Sequence, residues 1–245
     1  MQAGRIAPTT DTITLDGTLV TYTVRRNPRA KYMRITISPY HGVVVTLPAR
    51  LKRYVNPAAL LREKKEWVLE QLQRIPVSSA PKPLENGSVV YYLGKEYRVR
   101  LRSGELWTGC ELAHGVLSVH MPHDFEGDPK EIVLAWIKAQ AAKRIKAEAE
   151  HLAEVVDVHY TRVSVRDQKT KWGSCSKAGA LSFNWRLILF PPKVLRYIVV
   201  HELCHLRHFN HSQRFWNLVA RHDPDYESSI EWLKTNGLRM EAALR

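Results

Sequence analysis

The chain has 245 residues and a formal net charge of +13, from 37 Lys and Arg against 24 Asp and Glu. That length can bury a full core in one or two domains, and no apolar run reaches the ~18 residues of a membrane span, which argues against a partner bilayer. Three scattered cysteines, Cys110, Cys175 and Cys204, make no disulfide framework, and Met1–Arg5 leads into polar residues without an apolar signal core, so the expected location is the cytoplasm.

The first part reads as strands. Leu19–Val24, Tyr32–Ile37 and Val43–Leu47 alternate or are β-branched. Pro39-Tyr40-His41-Gly42 reads as the turn joining the last two. Asn56-Pro57 caps a helix running to about Arg74, with Leu60, Leu61, Trp67, Val68 and Leu72 facing inward. A proline-bearing loop from Pro76 to Gly87 precedes strands at Val89–Tyr92, Tyr97–Leu101 and Val116–His120, with a tight turn at Gly94-Lys95. Asp128-Pro129 opens the longest helix, to about Val156, with Ile132, Val133, Trp136, Ile137 and Ile145 on its apolar side. Two short strands near Arg162–Arg166 and Ala180–Asn184 flank a turn at Trp172-Gly173-Ser174. The last helix ends at Gly237, a C-cap signal. No internal repeat stands out. The pattern is α+β: a mostly β region over 1–125, then a helical domain with a small sheet over 126–245.

The chemistry concentrates at His201-Glu202-Leu203-Cys204-His205, an HExxH motif. On a helix, i and i+4 share a face, so His201 and His205 can hold one ion together while Glu202 reaches a water beside it. Pro191-Pro192 suits a helix start, and Val194, Leu195, Ile198 and Val199 give it an apolar stripe. His208 continues the face, but at ~1.5 Å per residue it stands ~10 Å along the axis from His201. Zn–N bonds of ~2.0–2.1 Å do not span that. The chain must turn back, and Phe209-Asn210 marks the expected break. His211 then returns to the ion, with Ser212 capping a helix that carries Phe215, Trp216, Leu218 and Val219. The rival third ligand is a downstream carboxylate, Glu227 or Glu231. Three neutral imidazoles leave a Zn2+ ion its full charge and one open position, where water falls in pKa from 15.7 to roughly 7. Glu202 is placed to take that proton and return it to a leaving group. Cys204 reads as a small buried residue, and Cys175 can approach the site without being a ligand.

Lys171-Trp172-Gly173-Ser174-Cys175, Asn184-Trp185-Arg186-Leu187, the HExxH stretch and Asn210-His211-Ser212 with Phe215-Trp216 occur in an order that resembles the YgjP-like metallopeptidase family, a relative of the SprT-like and WLM zinc peptidases. Arg25–Ala30 and the strands after it extend the likeness through most of the chain. The resemblance implies a zincin-like catalytic domain, zinc held by His201, His205 and His211, and Glu202 as general base. His208 stands where metzincins carry a turn glycine. In zincin folds a strand beside the metal helix can pair with an extended substrate, and Ala180–Asn184 is the candidate here.

The positive charge is uneven. Residues 1–57 hold nine basic and two acidic residues, and residues 161–200 hold eight and one. Arg162, Arg166, Lys169, Lys171, Lys177 and Arg186 surround Trp172, Phe183 and Trp185. Such a surface suits a polyanion, so nucleic acid is a candidate partner through these two segments. Three function classes follow. The favoured one is a zinc metallohydrolase acting on peptide or protein. The second is a nucleotide phosphoanhydride hydrolase (a nucleoside triphosphate pyrophosphatase) at the same site, although no Gly-rich phosphate loop is present. The third is a nucleic-acid-associated protein with a zinc site, which three histidines fit poorly because structural zinc prefers four, thiolate-rich ligands. Lys171, Arg186, Tyr197 and Tyr226 are candidate oxyanion stabilisers.

Overall fold

The structure is a computed structural model describing residues 8–28, 30–38, 41–49, 56–74, 83–169 and 171–242, the last helix by its backbone alone beyond Gly237. It forms two compact units, Met1–Ser78 and Ser79–Arg245, and the fold class is α+β.

In the first unit, β1 (Thr9–Leu15), β2 (Thr18–Asn27), β3 (Arg34–Ser38) and β4 (Gly42–Pro48) lie in the order β1-β2-β4-β3. β2 and β4 are parallel, and the other pairs are antiparallel. Asp16 and Gly17, both at positive φ (44° and 80°), close the β1–β2 hairpin, as the right-handed twist of paired strands favours. Ile13, Leu15, Val20, Tyr22, Val43 and Val45 form the sheet's buried face. α1 (Pro57–Glu63) starts at Asn56, whose side chain accepts from Ala58 N at 2.9 Å. The expected single helix breaks at Lys64 (φ −104°), and α2 (Lys65–Arg74) follows. The buried face nevertheless keeps its phase across the break, Leu61 and Val68 standing two turns apart. Leu61 and Val68 are fully buried, whereas Trp67, expected inward, is 43% exposed. Pro39 and Tyr40 of the expected turn, Arg29, and residues 76–82 of the expected loop lie outside the described residues.

In the second unit, β5 (Val89–Tyr92), β6 (Lys95–Ser103), β7 (Gly109–Ala113) and β8 (Val116–Met121) run in the order β5-β6-β8-β7. The sense of each pairing is the same as in the first sheet, with β6 and β8 parallel. The topology therefore repeats where the sequence does not, since many sequences satisfy one alternation of apolar and polar positions. α3 (Pro129–Val156) is capped by Asp128, which accepts from Lys130 N at 2.9 Å, and ends at Asp157 in the left-handed region. Its buried row Val133, Ile137, Ala141, Ile145, Ala149 and Ala153 steps by four, the spacing that keeps side chains on one helix face. This row shares one core with Val90, Val99, Leu117 and Val119 of the sheet. A cut at 125, as read from the sequence, falls between β8 and α3, inside that core; the compact units divide at Ser78 and Ser79 instead.

A second sheet in this unit has the order β10-β11-β9: β9 (Arg162–Arg166) parallel to β11 (Ala180–Asn184), and β10 (Gly173–Cys175) antiparallel to it. A 3-10 helix, Trp185–Leu189, leads to α4 (Pro192–Cys204), α5 (Gln213–His222) and α6 (Tyr226–Ala242). No helix among the described residues is long and apolar enough to cross a membrane. Gly237 does not end α6. It is buried inside the helix with Trp172 alongside, where a Cβ would meet Trp172 Cζ2 at 3.7 Å. The β5–β6 turn braces the start of α4: Leu93 N donates to Ile188 O (2.7 Å) and Gly94 N to Leu189 O (3.1 Å). At Gly94 (φ +76°) a Cβ would sit 2.9 Å from Pro191 Cα. Gly94→Ala combines left-handed strain with overpacking, so it is expected to cost at least about 2 kcal/mol in urea unfolding. A loss below a few tenths would show that the brace is not rigid.

Candidate metal centre and active site

α4 is built to hold its polar residues still. Val194, Leu195, Val199, Val200 and Leu203 are 0–1% exposed, and the helix stops one residue before His205, which occupies the C-cap with its N–H donating to His201 O at 3.3 Å. The chain therefore leaves the helix about four residues before the break expected at Phe209-Asn210. Leu206, Arg207 and His208 turn back through bonds to Leu203 and Cys204 carbonyls. Arg207 fastens this turn to the end of α3 through Asp157 Oδ2 (3.0 Å).

The early turn brings His211 to the pair on α4. The imidazoles of His201, His205 and His211 offer ligand atoms all within 4.8 Å of one another, and Nε2 of His201 lies 3.1 Å from Nε2 of His211. Among the described residues, neither Glu227 nor Glu231 belongs to this group. Two ligands on a tetrahedral zinc with ~2.0–2.1 Å bonds stand about 3.3 Å apart, so the donor set fits such an ion. The tautomers fit too. His205 Nδ1 donates to His208 O at 2.9 Å, which leaves its Nε2 lone pair bare. His201 Nδ1 lies 3.4 Å from the Tyr197 hydroxyl, an oxygen able to accept from it. Burial, with the neighbouring imidazoles adding to it, lowers His201 to about 3. It therefore stays neutral, as a ligand must. Phe215, fully buried on α5, carries all three rings at 4.6–4.9 Å between centroids.

Glu202 is 6% exposed. Burial pushes its carboxyl up to about 7, opposed by the Lys171 charge and by the Cys175 backbone N–H, which donates to it. Such a group can both take and give a proton near neutrality. Gly173 makes the room: a Cβ there would lie 2.6 Å from both Cγ and Oε1 of Glu202. Gly173→Ala is therefore expected to leave metal content unchanged and cut kcat/KM by at least about 100-fold, since displacing a reacting group by ~1 Å costs that much. Unchanged kcat/KM would mean that the carboxylate is not held by β10.

Several expectations are revised. Trp172-Gly173-Ser174 is not a simple turn, because 173–175 form β10. Ala180–Asn184 cannot take a substrate strand, because β11 has β10 on one side and β9 on the other; the sheet edge beside Glu202 belongs to β10. Arg186 is buried, ion-paired to Asp167 and stacked on Trp185 at 4.3 Å, so it is a framework cation and no oxyanion stabiliser. Tyr197 is engaged with His201. Phe183 and Trp185 are core residues. The roles of Phe215, of Tyr197 beside His201 and of the Cys175 N–H are not legible in the sequence. The Gly173–Cys175 stretch carried a signal in its unusual Trp-Gly-Ser-Cys run, whereas the backbone contacts carried none.

An α+β chain in which an HExxH helix and a returning histidine converge falls in the class of metallohydrolases. The model of the YgjP-like metallopeptidase domain matches residues 31–236, and the chain belongs to that family. Two solved structures are also similar. The metallopeptidase zymogen of Pyrococcus abyssi abylysin is 23% identical over 35% of this chain and 90% of that one, with a TM-score of 0.31. That of Methanocaldococcus jannaschii jannalysin is 25% identical over 36% and 93%, with a TM-score of 0.32. No curated protein matches.

Proposed function

We propose that this chain is a zinc-dependent peptidase in which His201, His205 and His211 hold the ion and Glu202 moves the proton. The observation that supports it best is the convergence of three imidazoles, two of them with an acceptor facing Nδ1, beside a buried carboxyl near neutrality. When bound, the ion supplies Lewis acidity toward water and a carbonyl oxygen. Everything else falls to the protein. Phe215 fixes the ring planes, and His208 O and Tyr197 Oη set the tautomers. The Cys175 N–H and the gap at Gly173 aim Glu202, whose carboxylate takes the proton of the attacking water and passes it to the departing amine nitrogen. Lys171 is the remaining cation whose charge reaches Glu202, and it suits the oxyanion. The three free thiols suit a reducing cytoplasm.

Chelation tests the reading. Treatment with 1,10-phenanthroline should abolish cleavage of casein or a quenched peptide, and added zinc should restore it. Retention of full activity by metal-free protein would sink the proposal. Release of phosphate or pyrophosphate from nucleoside triphosphates, with no peptide cleaved, would move the same site to phosphoanhydride chemistry. The basic segments 1–57 and 161–200 enter this mechanism only through Lys171. A nucleic-acid role for them predicts affinity that falls steeply with salt.

A further inference from the structure

Glu227 and Glu231, the carboxylates outside the histidine cluster, line a groove of about 600 Å³ between α5 and α6, together with Trp216, Tyr226, Ile230 and Lys234. Its wall touches the candidate metal centre. Trp216 lies nearly parallel to His211 (centroids 5.7 Å, 26°) and to Tyr226 (5.5 Å, 21°). One indole therefore separates the imidazoles from the groove. We infer that this groove receives a positively charged side chain, Lys or Arg, of the peptide substrate; this rests on the peptidase reading above.

Three features select that occupant. The volume lies within the range of ~300–1,000 Å³ usual for ligand sites and accommodates one long side chain. The walls are aromatic, and Ile230 adds apolar surface for a methylene stem. The rim is anionic in a chain of net charge +13. It carries two carboxylates against one ammonium, Lys234 Nζ, which reaches Glu231 Oε2 at 3.1 Å. Glu227 Oε1 accepts only a long bond from Tyr226 Oη, at 3.4 Å. An acidic side chain entering here meets like charge, and a neutral one leaves the two carboxylates sharing a single ammonium, that of Lys234.

The test uses the full chain carrying Glu202→Gln, loaded with zinc, and fluorescein-labelled alanine hexapeptides with Arg, Lys, Gln or norleucine placed at each position in turn. Anisotropy should show one position where Arg or Lys binds roughly tenfold more tightly than norleucine. Adding Glu227→Gln and Glu231→Gln, both exposed positions, should collapse that preference to about twofold or less while norleucine binding stays unchanged. Equal binding at every position, or a preference that survives the double substitution, would overturn the inference. If wild-type protein cleaves peptides without regard to basic residues, the groove assignment fails and the peptidase reading stands. If the basic preference is present and the zinc-loaded wild type cleaves nothing, the peptidase reading fails, and the groove is a site for a basic side chain of a bound peptide but not of a substrate.

Discussion

Glu202→Gln is expected to bind its metal normally and to lose roughly 10²–10⁴ in kcat, the usual share of a positioned general base. The substitution keeps size and shape in a pocket where Gly173 leaves no spare room, so packing around the 6%-exposed side chain is conserved. It removes the group whose pKa burial raises to about 7. KM should change little, since no contact with a bound substrate is assigned to this carboxylate apart from proton transfer. Steady-state kinetics paired with elemental analysis would check this. Wild-type turnover in the variant would move the proton-transfer role elsewhere.

His205→Ala carries the second large effect, and it falls on the metal. His205 is the ligand candidate whose ring is most firmly held, stacked on Phe215 at 4.6 Å and donating to His208 O. Its loss leaves two imidazoles. Affinity should fall by more than the roughly 10–100-fold that removal of an outer hydrogen-bond partner costs. The variant should emerge from dialysis without the ion, and added zinc should no longer raise its Tm, because a ligand stabilises only what it binds. Stoichiometric zinc retained by His205→Ala would mean that the ion sits elsewhere.

The HExxH helix was legible because two constraints coincide in a few residues: an i, i+4 pair of ligands and an apolar stripe that buries the opposite face. His211 was legible only as one of two options, since the return of the chain depends on where α4 stops. Cys204 is the last helical residue, and nothing in the Leu206–Asn210 stretch announces that end. Strand β1 is hard to read in the sequence because five of its seven residues are threonine or aspartate and only Ile13 and Leu15 turn inward. β7 was missed because Gly109, Cys110 and Glu111 carry no strand pattern. Trp67 falls beside the buried face, which keeps its seven-residue step from Leu61 to Val68 across Lys64, and so it stays 43% exposed. Gly237 reads as a stop in the sequence, whereas α6 runs on to Ala242 with Trp172 alongside the glycine. The Cys175 N–H that meets Glu202 and the gap at Gly173 join residues far apart in sequence, which local periodicity does not report.

The central claim is that three imidazole Nε2 atoms close on one divalent cation. A crystal structure of zinc-loaded protein with anomalous data at the zinc edge tests it most directly. The expected map has one peak about 2.0–2.1 Å from Nε2 of His201, His205 and His211, with Glu202 beside the open vertex. A peak bound instead through Glu227 or Glu231, or no zinc peak at the histidines, would contradict the assignment.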